Sequence, residues 1–137
     1  MVFEVLFPEF CTMYADSINA RYIEQTVKDI KVIRTKNTDR PYFADHDVDM
    51  IYVGAMPEIR QKLAIERLRP FRGRLIELTL RGRIILATGS AMDIFGKYIK
   101  LNGEVTEALG LFDYHVEQDL TRRRNSMFVG EFGGHNI

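Results

Sequence analysis

Short apolar runs alternate along the first part of the chain with longer segments whose apolar residues recur at helical spacing. The first run is apolar except for Glu4 and is bounded by Pro8, which is typical of a buried strand. Four such runs predict strands, at Val2–Leu6, Ile30–Thr35, Asp49–Gly54 and Arg83–Ala87. We expect the third strand to be buried on both faces and the fourth to be the central strand of the sheet.

The segments between these runs predict helices. The first helix begins at Asp16 or Ser17, either of which suits an N-cap. Its apolar residues at helical spacing are Ile18, Tyr22, Ile23 and Val27. A second helix runs from Pro57 and Glu58 to about Arg69, because proline and a carboxylate both suit an opening turn. Two further helices are predicted, at Phe71–Leu80 and, after a tight turn at Thr88–Ser90, at Ala91–Ile99.

Strands that alternate with helices predict βαβ units, and therefore a mostly parallel sheet with helices on both faces. We expect one domain over residues 1–137, with a three-layer α/β fold of the flavodoxin-like or Rossmann-like kind. Ligands bind at the carboxyl ends of the strands in such sheets. The segments at those ends are Phe7–Asn19, Gly54–Glu58 and Thr88–Met92. In the tail, turns are predicted at Asn102–Gly103 and Gly133–Gly134, and strands at Tyr114–Glu117 and Met127–Phe132.

Composition and charge argue against several classes of partner. Nineteen basic residues balance nineteen acidic ones, so no net field attracts nucleic acid or an anionic membrane. No apolar run approaches the roughly 20 residues that cross a bilayer, and the start of the chain lacks a basic flank. We therefore expect a cytoplasmic protein.

Cys11, the single cysteine, is predicted to be an inert core residue, and His46 in the acidic loop Asp45–Asp49 is predicted to be solvated. No metal and no cofactor are expected.

Three sequence patches fall at the predicted strand ends. The first keeps Pro8, Tyr14, Asp16 and Asn19 of the pattern Y-P-x-x-M-N-x-Y-G-D-x-G-N. The second keeps Gly54 and Gln61, with Glu58 as an acidic counterpart, of a run like G-G-G-x-D-x-E-Q. In the third, Leu86, Ala87 and Gly96 fix the register to L-A-I-C-G-G-Y-Q-L-L-G. Later, Leu109–Asp113 and Thr121–Arg124 are similar to G-L-G-L-L-D and T-x-x-R-R. In this order the patches resemble class I glutamine amidotransferases of the cobyric acid synthase type, most closely the glutaminase subunit of lipid II isoglutaminyl synthase.

The resemblance implies a glutamine-hydrolysing site, in which a cysteine on a strand-to-helix turn is the nucleophile. The register places Gly89 at the position of that cysteine, in a remnant elbow of Gly89, Ser90 and Ala91. Ser90 lies one residue later, where we expect its side chain to point away. In the oxyanion-forming loop Ala55 and Met56 replace glycines, and we expect Met56 to crowd the pocket. The residues implied for the substrate-binding remnant are Tyr14, Asp16, Asn19, Gly54, Ala55, Met56 and Gln61. Without the resemblance, Tyr14, Asp16 and Asn19 indicate a turn and a helix cap.

The family's histidine lies in a segment like I-V-G-F-E-N-H, and Ile137 aligns with the start of that segment. We expect the domain to be incomplete at its C-terminal end. His135 lies close by, but it is one position off and lacks the expected neighbours. His115 is predicted to be an ordinary strand residue. Arg122–Arg124 are predicted to be a solvated face, with an anion-binding site as the alternative.

Taken together, these departures predict a catalytically inactive domain that binds a partner. A Mur-ligase-like synthetase and a second copy of the chain are the expected partners, because an open sheet edge invites pairing. The alternative is an active glutaminase that supplies ammonia to a Mur-ligase-like synthetase, and glutamine is a ligand only in that case. A flavodoxin-like domain that binds a phosphorylated ligand lacks support, since no glycine-rich loop follows the first strand.

Overall fold

The structure, a computed structural model, describes residues 1–13, 16–121 and 130–136. Its centre is a four-stranded parallel sheet in the order β2-β1-β3-β4. The strands are β1 (Val2–Leu6), β2 (Lys31–Thr35), β3 (Met50–Val53) and β4 (Ile84–Ala87). The predicted α/β class with a mostly parallel sheet is confirmed, and β3 is buried on both faces as expected.

Three α-helices connect the strands of this sheet: α1 (Ser17–Thr26), α2 (Glu58–Leu68) and α3 (Arg72–Leu80). α1 joins β1 to β2, and α2 and α3 join β3 to β4, whereas the connection from β2 to β3 holds only a 3₁₀ turn at Tyr42–Ala44. The predicted starts of all three helices and the predicted ends of α2 and α3 agree with the structure to within two residues. Within the described ranges, no helix is long and apolar enough to cross a membrane.

Apolar side chains pack on both faces of the sheet. The larger cluster includes Leu6 and Val53 from the strands, with Leu68 from α2 and Leu75 from α3. The smaller cluster consists of Phe3, Val5, Ala20 and Tyr52, so α1 covers the opposite face. The sheet therefore lies between two layers of helix, and the ends of its strands are held rigidly by packing from both sides.

The buried face of α1 differs from the predicted one. Ile18 and Tyr22 are 61% and 67% exposed, whereas Ala20 is buried and Ile23 packs against the smaller cluster. Residues two positions apart lie on nearly opposite sides of a helix, so burial of Ala20 turns Ile18 and Tyr22 towards solvent. The apolar spacing identified the helix but not the face that packs.

Two predictions about the region around β4 are wrong. β4 is an edge strand of this sheet, because it pairs only with β3 among the described residues. The helix predicted at Ala91–Ile99 is replaced by a 3₁₀ segment at Gly89–Phe95, after which the chain turns into a new strand. A Cβ at Gly96 would lie 2.7 Å from Cε2 of Tyr114, so the close packing of that ring requires glycine at this turn.

A second sheet follows, in the order β6-β5-β7. Its strands are β5 (Tyr98–Leu101), β6 (Glu104–Glu107) and β7 (Val116–Gln118). The predicted turn at Asn102–Gly103 joins β5 and β6, and both of its residues have positive φ, as a tight hairpin requires. The turn at Gly133–Gly134 likewise joins β8 (Glu131–Phe132) and β9 (His135–Asn136). Most of the strand predicted at Met127–Phe132 lies outside the described residues.

The only charged residue of β1, Glu4, is fully buried in the centre of the main sheet. Its carboxylate accepts hydrogen bonds from Thr35 Oγ1 at 2.6 Å and from the backbone amides of Tyr42 and Phe43 at 2.7 and 2.8 Å. Burial raises the pKa of Glu4, although these hydrogen bonds oppose the rise. Glu4 therefore anchors the loop between β2 and β3 while it carries a desolvation cost.

Glu4 predicts a specific dependence of stability on pH. Because its folded-state pKa is raised above 4.5, the folded protein binds this proton more tightly than the unfolded chain does. The resulting stabilisation is present below pH 4.5 and is lost as the pH rises through the raised pKa. Relative to Glu4→Gln, the wild-type free energy of unfolding should fall as the pH rises towards neutrality, as measured by urea denaturation.

The control for this experiment is Glu24→Gln, which removes a surface carboxylate on α1 that pairs with Arg34. This variant should follow the wild-type pH dependence over the same interval. If the wild type instead gained stability relative to Glu4→Gln as the pH rose, the hydrogen bonds to the carboxylate would outweigh its desolvation.

Candidate functional site

The predicted strand-end segments after β1, β3 and β4 meet at the Asp16 carboxylate. Asp16 is buried, and its Oδ2 atom accepts hydrogen bonds from the backbone amide of Ala55 and from Thr88 Oγ1, the latter at 2.7 Å. Ala55 follows β3 and Thr88 follows β4. One side chain therefore links three neighbouring strand ends, as the parallel topology predicted.

The hydroxyl of Tyr52 completes this cluster. It donates to the backbone carbonyl of Asp16 at 2.9 Å and accepts from Asn19 Nδ2 at 3.3 Å, while Asn19 Nδ2 also donates to Asp16 Oδ1 at 2.8 Å. Burial raises the pKa of Tyr52, so the phenol stays protonated at neutral pH. The sequence prediction missed Tyr52. The available signal was a tyrosine inside a buried strand, since a buried hydroxyl needs a partner.

Asp16 occupies the N-cap position of α1 but does not act as a side-chain cap. The carboxylate makes no capping hydrogen bond to the helix, and its backbone amide partner is Ala55, which is 39 residues away. The interpretation of Asp16 as a local helix cap is therefore wrong, because the backbone amide that its carboxylate binds is that of Ala55 and not one of α1. Asn19 is exposed on the first turn of the helix and bonds side chains of the cluster. Tyr14, also assigned to this group, lies outside the described residues.

Close packing at the strand ends favours glycine at two positions. Gly89 has φ +52°, and a Cβ there would lie 3.1 Å from Cβ of Ala55. A Cβ at Gly54 would lie 2.8 Å from Cβ of Cys11, closer than a real contact allows. Gly89 therefore has a left-handed backbone, and Ala55 occupies the space beside it.

Ser90 holds the elbow against the loop that follows β3. Its hydroxyl donates to the carbonyl of Met56 at 2.7 Å and accepts from the amide of Met56 at 3.1 Å. Gln61 Nε2 donates to the Ser90 carbonyl at 2.7 Å and to Asp93 Oδ2 at 2.9 Å. Because the Ser90 hydroxyl both donates to and accepts from the backbone of Met56, Ser90 has a structural role in this arrangement.

The side chains of Ala91 and Met56 lie in the protein core. Both are fully buried, and both belong to the larger apolar cluster. The expectation that Met56 crowds a pocket is therefore wrong. The side chain packs in the larger apolar cluster, and the backbone amide and carbonyl of Met56 bond the Ser90 hydroxyl. A buried methionine fills irregular core space well because its unbranched chain adapts to its neighbours.

Cys11 is not a candidate nucleophile in this structure. Its thiol is buried and lies 3.7 Å from the carbonyl of Leu6. Burial raises the pKa of Cys11 to about 12, so the reactive thiolate is not formed at neutral pH. This agrees with the interpretation of Cys11 as an inert core residue.

The histidines lie elsewhere. His46 stacks on Tyr42 with ring centroids 4.1 Å apart, and His115 stacks on Tyr98 at 4.7 Å. His135 is exposed in the β8–β9 hairpin. Arg122–Arg124 lie outside the described residues. In the part of the chain that the structure describes, no group of histidine, cysteine and acidic side chains is placed to hold a metal ion.

In comparisons with known proteins, no protein-family model and no curated protein sequence gave a significant match to the chain. The amidotransferase resemblance therefore rests on the sequence patches alone. In the structure, the segments after β1, β3 and β4 contact each other through Asp16 and Ser90. Among the described residues of the elbow, the only nucleophilic group is the Ser90 hydroxyl, which is bonded to Met56.

The contact between Gly89 and Ala55 predicts coupled substitutions. Gly89→Cys should lower the free energy of unfolding by about 1–3 kcal/mol, because it forces a side chain into positive φ and against the Ala55 methyl group. Combining it with Ala55→Gly should cost less than the sum of the two single changes, by about 0.5–1 kcal/mol, because the clash is removed. Urea denaturation of the four proteins measures this coupling.

Gly73→Cys is a matched control. Gly73 lies on α3 with nothing within 4 Å of an added Cβ, so a cysteine there should not destabilise the fold. A Gly89→Cys variant as stable as the wild type would show that the elbow accepts a side chain and that the close contact does not restrict it.

Proposed function

We propose that the chain is a catalytically silent domain of the class I glutamine amidotransferase type, kept as a binding or assembly domain. Three features support the proposal: the order of the sequence patches, a parallel sheet compatible with a flavodoxin-like fold, and the convergence of the patches at the strand ends. The observation that carries it is Gly89, which offers no side chain at the position of the nucleophile.

The backbone amides of the loop after β3 already donate within the protein. In the family resemblance, the loop after the third strand supplies amides to the developing oxyanion. Here the amide of Ala55 donates to Asp16, and the amide of Met56 donates to Ser90. Because each amide has a single hydrogen to donate, neither can stabilise an oxyanion without breaking an internal hydrogen bond. The elbow therefore lacks the nucleophile, and the two amides that the loop after β3 would supply are used inside the protein.

An assay for glutamine hydrolysis tests this proposal directly. Purified protein incubated with glutamine should release no glutamate above the level of buffer alone, because the nucleophile is missing and the amides of Ala55 and Met56 already have partners. Enzyme-coupled detection of glutamate measures the product. The Ser90→Ala variant is assayed alongside, as a check on contaminating activity. Glutamate release that is lost in Ser90→Ala would overturn the proposal and favour an active glutaminase with a serine nucleophile.

For the partner, we favour a second copy of the chain bound at β4. Edge strands are usually protected by charged residues, and β2, at the other edge, carries Lys31 and Arg34. β4 has the uncharged sequence IILA, and Ile84 is 57% exposed. An edge strand without charged side chains can pair with its own copy about a two-fold axis, because no like charges are then brought together. A Mur-ligase-like synthetase partner is suggested by the resemblance alone.

Two exposed apolar strand residues allow a controlled test of self-association. We expect a homodimer by size-exclusion chromatography with light scattering, and Ile84→Lys should convert it to a monomer by placing like charges at the pairing edge. Val105→Lys should leave the dimer intact, since Val105 is 58% exposed but lies on β6 of the second sheet. A monomeric wild-type protein at high concentration, or a dimer unaffected by Ile84→Lys, would contradict pairing through β4.

A further inference from the structure

A groove lies between the first turns of α2 and one face of the second sheet. Its volume is about 270 Å³, and its lining includes Glu58 and Lys62 from α2, Ile99 and Leu101 from β5, Thr106 from β6 and Gln118 from β7. This volume is close to the lower end of the roughly 300–1,000 Å³ that small-molecule sites span. The groove can therefore hold a group of side-chain size.

The walls of this groove are apolar on both sides. Ile99 is buried and Leu101 is half-buried on the side of the sheet, and Ile59 on α2 is 79% exposed. Ile59 therefore adds exposed aliphatic surface on the side of the groove that faces Ile99 and Leu101. The arrangement favours a ligand with an aliphatic portion that lies between Ile59 and Leu101.

Polar atoms at the inner end of the groove are held in a fixed orientation. Gln118 Nε2 donates to Gln61 Oε1 at 2.9 Å and to Asp93 Oδ2 at 2.8 Å. Both of these partners are acceptors, so they determine which end of the Gln118 amide is nitrogen. The Oε1 atom of Gln118 has no donor anywhere in the described ranges, and it therefore remains available to accept a hydrogen bond from a ligand.

Charge at the groove favours a cation. Lys62 Nζ is paired with Glu104 Oε1 at 2.7 Å, whereas the carboxylate of Glu58 has no hydrogen bond and no ion pair among residues 1–13, 16–121 and 130–136. Glu104 therefore neutralises Lys62, which leaves the Glu58 carboxylate as the unpaired charge among the lining residues. Thr106, which also lines the groove, adds a hydroxyl that can accept a hydrogen bond.

We propose that this groove binds an aliphatic primary ammonium group. The alkyl chain lies against Ile59 and Leu101, and the three N–H donors of the ammonium meet the acceptors of Glu58, Gln118 and Thr106. A free alkylamine and a lysine side chain of a peptide share this chemistry. The inference does not depend on the amidotransferase resemblance, because it uses neither Gly89 nor the strand-end cluster around Asp16.

Titration of the isotope-labelled protein with pentylammonium chloride tests the site by NMR. Amide shifts should change around Lys62, Leu101 and Gln118, with a dissociation constant on the order of millimolar, as expected for so small a ligand. Pentanoate, with the same chain length and the opposite charge, should leave these amides unchanged. Shift changes caused equally by pentanoate, or confined to other surfaces, would overturn the proposal.

Two variants test separately the charge of Glu58 and the free space of the groove beside Thr106. Glu58→Gln should weaken pentylammonium binding roughly three- to fivefold, the scale of a partly exposed ion pair, while Glu66→Gln, an exposed carboxylate elsewhere on α2, should leave it unchanged. Thr106→Phe should abolish binding by filling the groove. Equal affinity for wild type and Glu58→Gln would overturn the assignment of the ammonium to Glu58.

A further titration distinguishes a free alkylamine from a lysine side chain as the source of the ammonium group. N-acetyl-lysine amide presents the same ammonium group on a peptide backbone. If it binds at least as tightly as pentylammonium, the groove takes a lysine side chain of a partner segment. If only the free amine binds, the ligand is a small molecule. Failure of both compounds to bind would reject the ammonium site, but it would not affect the proposal that the domain is catalytically silent.

Discussion

The hydrogen bonds of the Asp16 carboxylate determine how the ends of β1, β3 and β4 are arranged. A buried carboxylate is costly unless its oxygens are hydrogen-bonded, and Asp16 receives donors from Asn19, Ala55 and Thr88. Each donor belongs to a different element, so the positions of α1, the loop after β3 and the end of β4 are coupled through one side chain. The close approach of Gly54 to Cys11 and of Gly89 to Ala55 follows from that coupling.

This arrangement has a chemical consequence, because hydrogen-bond donors used for structure cannot serve a substrate. An oxyanion hole needs amides that point into a site without protein partners. In this protein the Asp16 and Ser90 side chains accept the hydrogens of Ala55 and Met56. The contacts that join the strand ends therefore use these two amide donors, and the Ser90 hydroxyl is held by the Met56 backbone. The amide hydrogens of Ala55 and Met56 cannot join the strand ends and bind a substrate at the same time.

Local patterns in the sequence were enough to predict the strands and helices, but not how they contact each other. Alternating apolar runs located β1 and α2 to within a residue or two, because burial imposes a period on each element. The sequence IILA does not distinguish a central strand from an edge strand, since both can pack apolar side chains on the sheet. The Asp16 partner was also unpredictable, because every residue except proline carries a backbone amide and the amide of Ala55 leaves no mark in the sequence.

Catalytic sites usually keep polar groups unsatisfied or strained, and they lose stability as a result. The remnant elbow has the opposite character: the donors at Ala55, Met56 and Thr88 all have partners within the protein, and glycine at position 89 relieves the strain of positive φ. Replacing Gly89 with cysteine would return a nucleophile but would leave both amides bonded. An elbow of this kind stabilises the fold in the way that other buried polar clusters do.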